Sequence, residues 1–578
     1  MCAVKTSVVL ESRTLTTHTM TTIYDLSLDQ LQGAKVDISP SATLCRYRLV
    51  DCIQFVEHEN LRIDEFSEFP NVEYTAISYV WRGRPDLNRH RRKVFTVAGA
   101  EGADPITIDV LRHACAASVQ QRVRYIWLDR LCIIQTSKAD KIWQIRQMFR
   151  IYKSCTRCIV LPDGLCRLVS LSEETDWIHR GWTLQEAMAP KNVVVLFTWT
   201  LGPGRLSTGG EYGLPAAGAV TPVIPGVSAV TELQIIIDAC AVGFLFFTTP
   251  TEWDLTAEYS KTRKLKGAIF GARTPNIFAF AAAMNGDFDD EAKSHAIWRC
   301  ALMRTSSRPV DMVFSIMGLF GVDLDPRGYN DNDRVGATIA LAKAILQGGG
   351  SASWLGIAFR IPPSPELPVF PDFPQTSVAG KALVRTHKGL REVADIMEIE
   401  YPSAGPKCLQ SKLPGGSMDD SGQFFFRSRY AHARRVAGGQ EQPRTAHETN
   451  AGYARSIHAI AADETEWEIY LRELKGEESR AFAVFLGWFD EYYPGATPLP
   501  DKNIKIMILE EHEPGRCCLC SFASLKFTLQ DWVATWDERD FCIGPSVSEY
   551  SNAANLANSK LETQFKEGTG VETGMNHK

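Results

Sequence analysis

The sequence predicts an α/β fold: an N-terminal layer built on a parallel sheet, then a mainly helical region, then a smaller mixed α+β region. Three observations predict it. Tyr74–Trp81, Arg124–Asp129, Cys158–Leu161 and Val193–Trp199 are short runs rich in β-branched and aromatic residues. Their near-continuous hydrophobicity is that of strands buried on both faces. Helical patterns separate them, most clearly in Ala139–Tyr152. There Ile142, Ile145, Met148, Phe149 and Tyr152 fall within about 120° of a helical wheel, one buried stripe on an amphipathic helix. Strands alternating with helices imply parallel pairing, because a right-handed helical crossover returns the chain to the same sheet edge direction.

The remaining segments follow from composition. Residues 1–40 read as a flexible lead-in, and the layer itself spans 41–200. Tyr47–Asp51 and Asn60–Asp64 are short strands ahead of Tyr74. Ile106–Gln120 is an edge strand running into a helix, and Trp177–Met188 a helix stopped by Pro190. Residues 201–230 are rich in Gly and Pro and read as a linker. Residues 231–360 read as mainly helical, with Leu233–Phe247 a buried apolar helix too short to span a bilayer. Residues 361–450 are Pro- and Gly-rich and irregular, 451–548 a small α+β region, and 549–578 a polar, disordered tail.

Composition bounds the function. The chain has 578 residues, 45% hydrophobic and 22% charged, ample for a folded core. A net charge of −6 argues against a nucleic-acid partner. The 15 cysteines are odd in number and scattered, there is no Asn-x-Ser/Thr acceptor, and the first residues lack an apolar run of signal-peptide length. Together these indicate a reducing, cytoplasmic setting with no membrane span. Generic catalytic signatures are absent, among them Gly-x-Ser-x-Gly, the phosphate-binding Gly-x4-Gly-Lys-Ser/Thr loop and His-Glu-x-x-His. Cys155-Thr-Arg-Cys158 and Cys517-Cys-Leu-Cys520 read as buried structural thiols, and no metal site is expected.

Four segments are far more specific: Tyr74-Thr-Ala-Ile-Ser-Tyr-Val-Trp81, Tyr125-Ile-Trp-Leu-Asp-Arg-Leu-Cys-Ile-Ile-Gln135, Gln144-Ile-Arg-Gln-Met-Phe-Arg-Ile-Tyr152 and Arg180-Gly-Trp-Thr-Leu-Gln-Glu-Ala187. In this order and spacing, over about residues 45–200, they resemble the HET domain of fungal heterokaryon-incompatibility proteins. Arg304–Leu319 resembles the region that often follows such domains. One departure is Ile134, where the family usually has Asn or Asp; Asp140 is the nearest acidic residue ahead of the third segment. The resemblance implies non-self recognition after cell fusion and programmed cell death, a form of innate immunity, with the C-terminal part regulating the domain or recognising a partner.

HET domains are in turn similar to TIR domains, a flavodoxin-like α/β fold. Ile77–Gly83 resembles the first TIR strand and its polar loop. Arg180–Glu186 resembles the TIR helix motif Ser-x-Trp-Cys-x-x-Glu, whose carboxylate cleaves NAD in the active members. That similarity implies Glu186 as the catalytic residue, with Ser78, Arg82, Arg84, Asp129 and Trp182 binding substrate. One carboxylate suffices for this chemistry. Nicotinamide leaves a cationic pyridinium as a neutral molecule, so the leaving-group acid of ordinary glycosidases is unnecessary, and one anion stabilises the developing ribosyl cation. Trp182 and Glu186, four apart, share a helix face. Arg82 and Arg84 sit in the loop after the first strand, where such sheets bind ligands and where guanidinium groups meet phosphates. Asp129 reads as either a helix cap or a cleft carboxylate, and Glu186 as either an active-site group or the ion-pair partner of Arg180. Two functions follow: an NAD glycohydrolase, with NAD as substrate and no bound cofactor, or a non-catalytic module that signals by self-association or with a protein partner.

Overall fold

The computed structural model describes residues 20–85, 92–208, 217–249, 262–286, 288–377, 380–386, 388–397, 412–436, 456–471, 480–489 and 503–545. The largest element is a mixed, twelve-stranded sheet. In chain order its strands are β1 (Met20–Ser27), β2 (Tyr47–Asp51), β3 (Asn60–Phe66), β4 (Tyr74–Tyr79), β5 (Tyr125–Trp127), β6 (Arg157–Leu161), β7 (Val193–Thr198), β8 (Gly204–Ser207), β9 (Ala217–Ile224), β10 (Ser228–Glu232), β11 (Phe244–Thr248) and β12 (Arg263–Lys266). Their spatial order is β1-β3-β2-β5-β4-β6-β7-β10-β9-β8-β11-β12.

The centre is parallel. β4 pairs with β5 (Ala76↔Trp127) and with β6 (Ile77↔Ile159), and β6 pairs with β7 (Val194↔Ile159). All six residues of β4 are buried, which explains its unbroken hydrophobicity. Helices α1 (Ile108–Val119), α2 (Lys138–Ser154) and α3 (Trp182–Met188) supply the crossovers. Ser137 caps α2 by accepting from the Asp140 backbone N–H. The expected helix over Trp177–Met188 is broken: Trp177–His179 is a single 3-10 turn, and α3 begins after Gly181. A side chain at Gly181 would approach Met312 Sδ at 3.1 Å, so the missing side chain gives the chain downstream room to pack there.

Three boundary expectations are corrected. Residues 20–40 are not a flexible lead-in throughout, because β1 pairs antiparallel with β3 from Met20↔Phe66 to Ser27↔Asn60. The 201–230 linker holds strands: Gly and Pro sit in its turns, while Ala217–Ile224 carries apolar residues that pair with β8 and β10. The sheet is therefore parallel only at its core and gains antiparallel strands on both sides. The helix expected over Leu233–Phe247 stops at Val242, since Gly243 adopts φ +93° and the aromatic run after it forms β11.

Helices α4 (Leu233–Val242), α5 (Pro275–Met284), α6 (Asp290–Leu302), α7 (Asp311–Met317) and α8 (Arg334–Gln347) follow. Thr274 caps α5, and Pro275 occupies its first turn, where no N–H is needed. None of the described helices is long and apolar enough to cross a membrane.

The C-terminal region is mainly antiparallel sheet rather than an irregular segment followed by a mixed α+β unit. Its strands are β13 (Phe424–Arg435), β14 (Ser456–Ile460), β15 (Glu466–Tyr470), β16 (Ala481–Phe489), β17 (Asn503–Glu513), β18 (Arg516–Lys526) and β19 (Asp537–Ile543). β13 lies inside the stretch expected to be irregular; its alternating Phe424, Phe426 and Ala431, Ala433 are buried. β19 returns to pair with β13 from Phe424↔Ile543 to Tyr430↔Asp537, so the sheet closes on itself. The expected disordered tail, 549–578, lies outside the described residues.

Candidate functional site

The site lies at the C-terminal ends of the parallel strands. Ser78 is the penultimate residue of β4 and fully buried. Its hydroxyl donates to Glu186 Oε2 at 2.6 Å and accepts from Trp177 Nε1 at 2.9 Å. Glu186 projects from α3 and is 7% exposed. The Tyr152 hydroxyl, at the end of α2, lies within reach of the same carboxyl and donates to the Ile77 carbonyl at 2.9 Å. Burial pushes the Glu186 carboxyl up to about 8, and the Asp129 charge adds to the rise; the Ser78 hydrogen bond, Arg180 and Tyr152 oppose it. Burial thus favours the protonated form of Glu186 at neutral pH.

Asp129 follows β5 and is partly buried. It accepts from the Tyr79 hydroxyl, from Trp81 Nε1 at 2.8 Å and from the Arg130 backbone N–H at 2.6 Å. Burial pushes its carboxyl up as well. Asp129 is the first residue of a short helix whose N-cap is Leu128, so its side chain is not the cap; its charge is felt at Glu186.

The arginines are less central than expected. Arg82 is exposed and donates from Nε to the Gly102 carbonyl. The Arg84 guanidinium lies 3.5 Å from Asp176 and 3.9 Å from Glu174. Its backbone N–H reaches Asp163 Oδ1 at 2.9 Å. Arg84 is thus tied to Asp176, the residue before Trp177. The Trp182 indole turns toward Asp311 of α7. The structure thus joins Ser78 directly to Glu186 and couples Asp129 to it through charge, while Arg82, Arg84 and Trp182 are engaged with Gly102, Asp176 and Asp311.

Sequence reasoning missed Trp177, Tyr152 and Arg304 as site residues. Tyr152 was legible only as a member of the buried helical stripe. Arg304 opens the downstream segment that the sequence had already singled out. It is buried, donates from Nη1 to the Arg180 carbonyl at 2.9 Å and to Thr183 Oγ1 at 2.7 Å, and places its guanidinium 6.0 Å from the Trp177 ring centroid. Two backbone hydrogen bonds, Thr305 N–H to the His179 carbonyl at 2.7 Å and Gly181 N–H to the Thr305 carbonyl at 2.8 Å, lock that segment onto the approach to α3. The chain after residue 300 is therefore part of the wall around Glu186.

Cys132 is buried, and its thiol is pushed up to about 12 by that burial, which removes it as a nucleophile at neutral pH. Cys155 and Cys158 are buried too, as expected of structural thiols.

The sequence model of the heterokaryon-incompatibility protein family (HET) matches residues 74–164. Residues 74–164 are a HET domain. A stretch of 130 residues is 24% identical to vegetative incompatibility protein HET-E-1 of Podospora anserina, covering 21% of this chain and 9% of that protein. No solved structure matches the chain. The matched HET domain contains Ser78, Asp129 and Tyr152, while Glu186 and Arg304 lie beyond it in sequence and are brought to it by the fold.

Proposed function

We propose that this chain is an effector of fungal heterokaryon incompatibility that triggers programmed cell death by cleaving NAD at Glu186. The observation that carries this reading is the 2.6 Å hydrogen bond joining Ser78 on the first parallel strand to Glu186 on the third crossover helix. Numbered by their order along the chain, the parallel strands lie 2-1-3-4, the order of flavodoxin-like sheets, and that supports the TIR-like reading. In such sheets ligands bind at the strand C-termini where the order reverses, which is where Ser78 and Glu186 sit.

The chemistry follows from the charge state. A buried, protonated carboxyl becomes a carboxylate when a positive charge arrives beside it. The nicotinamide ring of NAD carries that charge. Glu186 then loses its proton to solvent and stands as the single anion against the ribosyl cation formed as nicotinamide departs with the C–N bonding pair, and water adds to that cation and releases a proton. Its 7% exposure means that the wall formed by Trp177, Tyr152 and the Arg304 segment moves aside first. Self-association or a protein partner acting on that wall is the natural trigger.

The same burial favours a second reading, in which the domain is a non-catalytic self-associating module and Glu186 is structural. The test is nicotinamide release from NAD by the full chain at high protein concentration, with Glu186→Gln beside it. The full chain is used because the sheet continues to Lys266, and cutting at residue 200 opens an edge. Release by the wild type and a loss of about 100-fold or more in Glu186→Gln is the expected outcome. Equal release by both makes Glu186 structural, and no release from a chain shown to be folded and self-associated moves the assignment to the module.

A further inference from the structure

The hairpin β17–β18 carries four side chains that no part of the proposed NAD site uses. Glu510 is directly opposite Cys518 in the ladder. Cys520 follows two residues later, on the same face of β18. Cys517 and Leu519 point the other way and are buried, whereas Cys518 and Cys520 are partly exposed. This corrects the expectation that the whole Cys517–Cys520 cluster is buried. His512 is the extra residue of a bulge between Glu511 and Glu513, and bulges re-aim side chains. Its ring comes within electrostatic reach of the Cys518 sulfur. Both His512 ring nitrogens are shielded from solvent, and the group they interact with is the Cys518 thiol. A shielded imidazole turned to a thiol is a second potential ligand beside the two sulfurs.

We propose that Cys518, Cys520, Glu510 and His512 form a four-ligand zinc site that staples this hairpin. The two sulfurs are 3.9 Å apart. Tetrahedral zinc with Zn–S bonds of about 2.3 Å places its two thiolates roughly 3.8 Å apart. One ligand atom each from Glu510, Cys518 and Cys520 already lies within 4.8 Å of the others. His512 completes the set by rotation of its side chain. Two soft thiolates with one imidazole and one carboxylate suit zinc, and four protein ligands leave no open position, so the site is structural. On binding, the two thiols release their protons to solvent and the imidazole coordinates in its neutral form.

The experiment strips the reduced full chain with a chelator and titrates it with cobalt(II), then displaces the cobalt with zinc. One equivalent of cobalt per chain is expected, with a thiolate-to-cobalt absorption band and the visible spectrum of a tetrahedral ion. Cys518→Ser and Cys520→Ser lose the band, and Cys517→Ser, on the opposite face, keeps it. His512→Ala and the exposed Glu510→Gln, which leave both thiols in place, bind at least 10-fold more weakly. Absence of a stoichiometric site in the wild type overturns the proposal, as does undiminished binding by the two cysteine variants. A Cys518–Cys520 disulfide that survives reduction, seen as a two-hydrogen mass loss without metal uptake, also overturns it.

Discussion

Glu186→Gln is expected to leave stability near pH 5 unchanged and to raise it progressively up to pH 8. The sign follows from linkage. In the folded protein the Glu186 carboxyl titrates at about 8, against an ordinary value of 4.5. Between those values the folded state binds the extra proton, so stability falls as pH rises. The penalty begins near pH 4.5 and is complete above about pH 8. Each pH unit of that interval is worth about 1.4 kcal/mol, so the full effect is on the order of a few kcal/mol. Glutamine mimics the protonated acid: its carbonyl accepts from Ser78 Oγ as Glu186 Oε2 does. Other groups also titrate in this window, including buried Asp311, which burial lifts to about 6. The informative quantity is therefore the difference between wild-type and variant unfolding midpoints at several pH values. Parallel curves would sink the idea that Glu186 is held protonated.

The same substitution is expected to abolish nicotinamide release. A residue whose removal stabilises a protein while removing its activity is one retained for function. This pairing separates the two readings of Glu186. A structural carboxyl that packs as a neutral group gives the pH-dependent stabilisation without any change in turnover.

How much of this was legible in the sequence depends on distance along the chain. The parallel core was readable because each strand carries its own signal: Tyr74–Tyr79 is apolar throughout, and α2 shows its stripe. Ser78 and Glu186 were named from motifs, yet their contact joins residues 108 apart and has no local signature. The strands after residue 200 were lost because Gly and Pro dominate the composition there, and Gly218, Thr221 and Pro222 interrupt the apolar residues of Ala217–Ile224. Arg304 shows the opposite failure. Its segment stood out in the sequence, but nothing local says that it closes against Trp177 and Thr183. The cysteine pair on β18 was misjudged because four adjacent residues were read as one environment, when a strand sends alternate side chains to opposite faces.

Asp140→Ala is expected to cost about 3–5 kcal/mol, enough to unfold the first hairpin of the sheet or the whole HET domain. Arg48 on β2 and Asp140 in the first turn of α2 are both fully buried. Arg48 Nη1 donates to Asp140 Oδ2 at 3.0 Å and to the Cys132 carbonyl at 3.0 Å, and Nε donates to Glu65 at 3.0 Å. The Asp140 carboxylate also accepts from the backbone N–H of Cys45 at 2.7 Å and of Ile134 at 2.9 Å. Removing it takes away one of the two carboxylates that neutralise the buried Arg48 and leaves two unsatisfied N–H groups, each of which costs about 1–3 kcal/mol. Arg48→Met is expected to do less damage. Its carboxylate partners keep their backbone donors, and methionine fills much of the space. The order of the two variants is the test, read as urea midpoints together with hydrogen exchange over Tyr47–Phe66. If Asp140→Ala proves the milder change, the carboxylate is not what anchors this junction. The junction matters to the site because the segment it pins, from Cys132 to Asp140, follows directly on Asp129. The acidic residue ahead of the third family segment thus has a physical task here: it fixes the loop that positions a carboxylate whose charge is felt at Glu186.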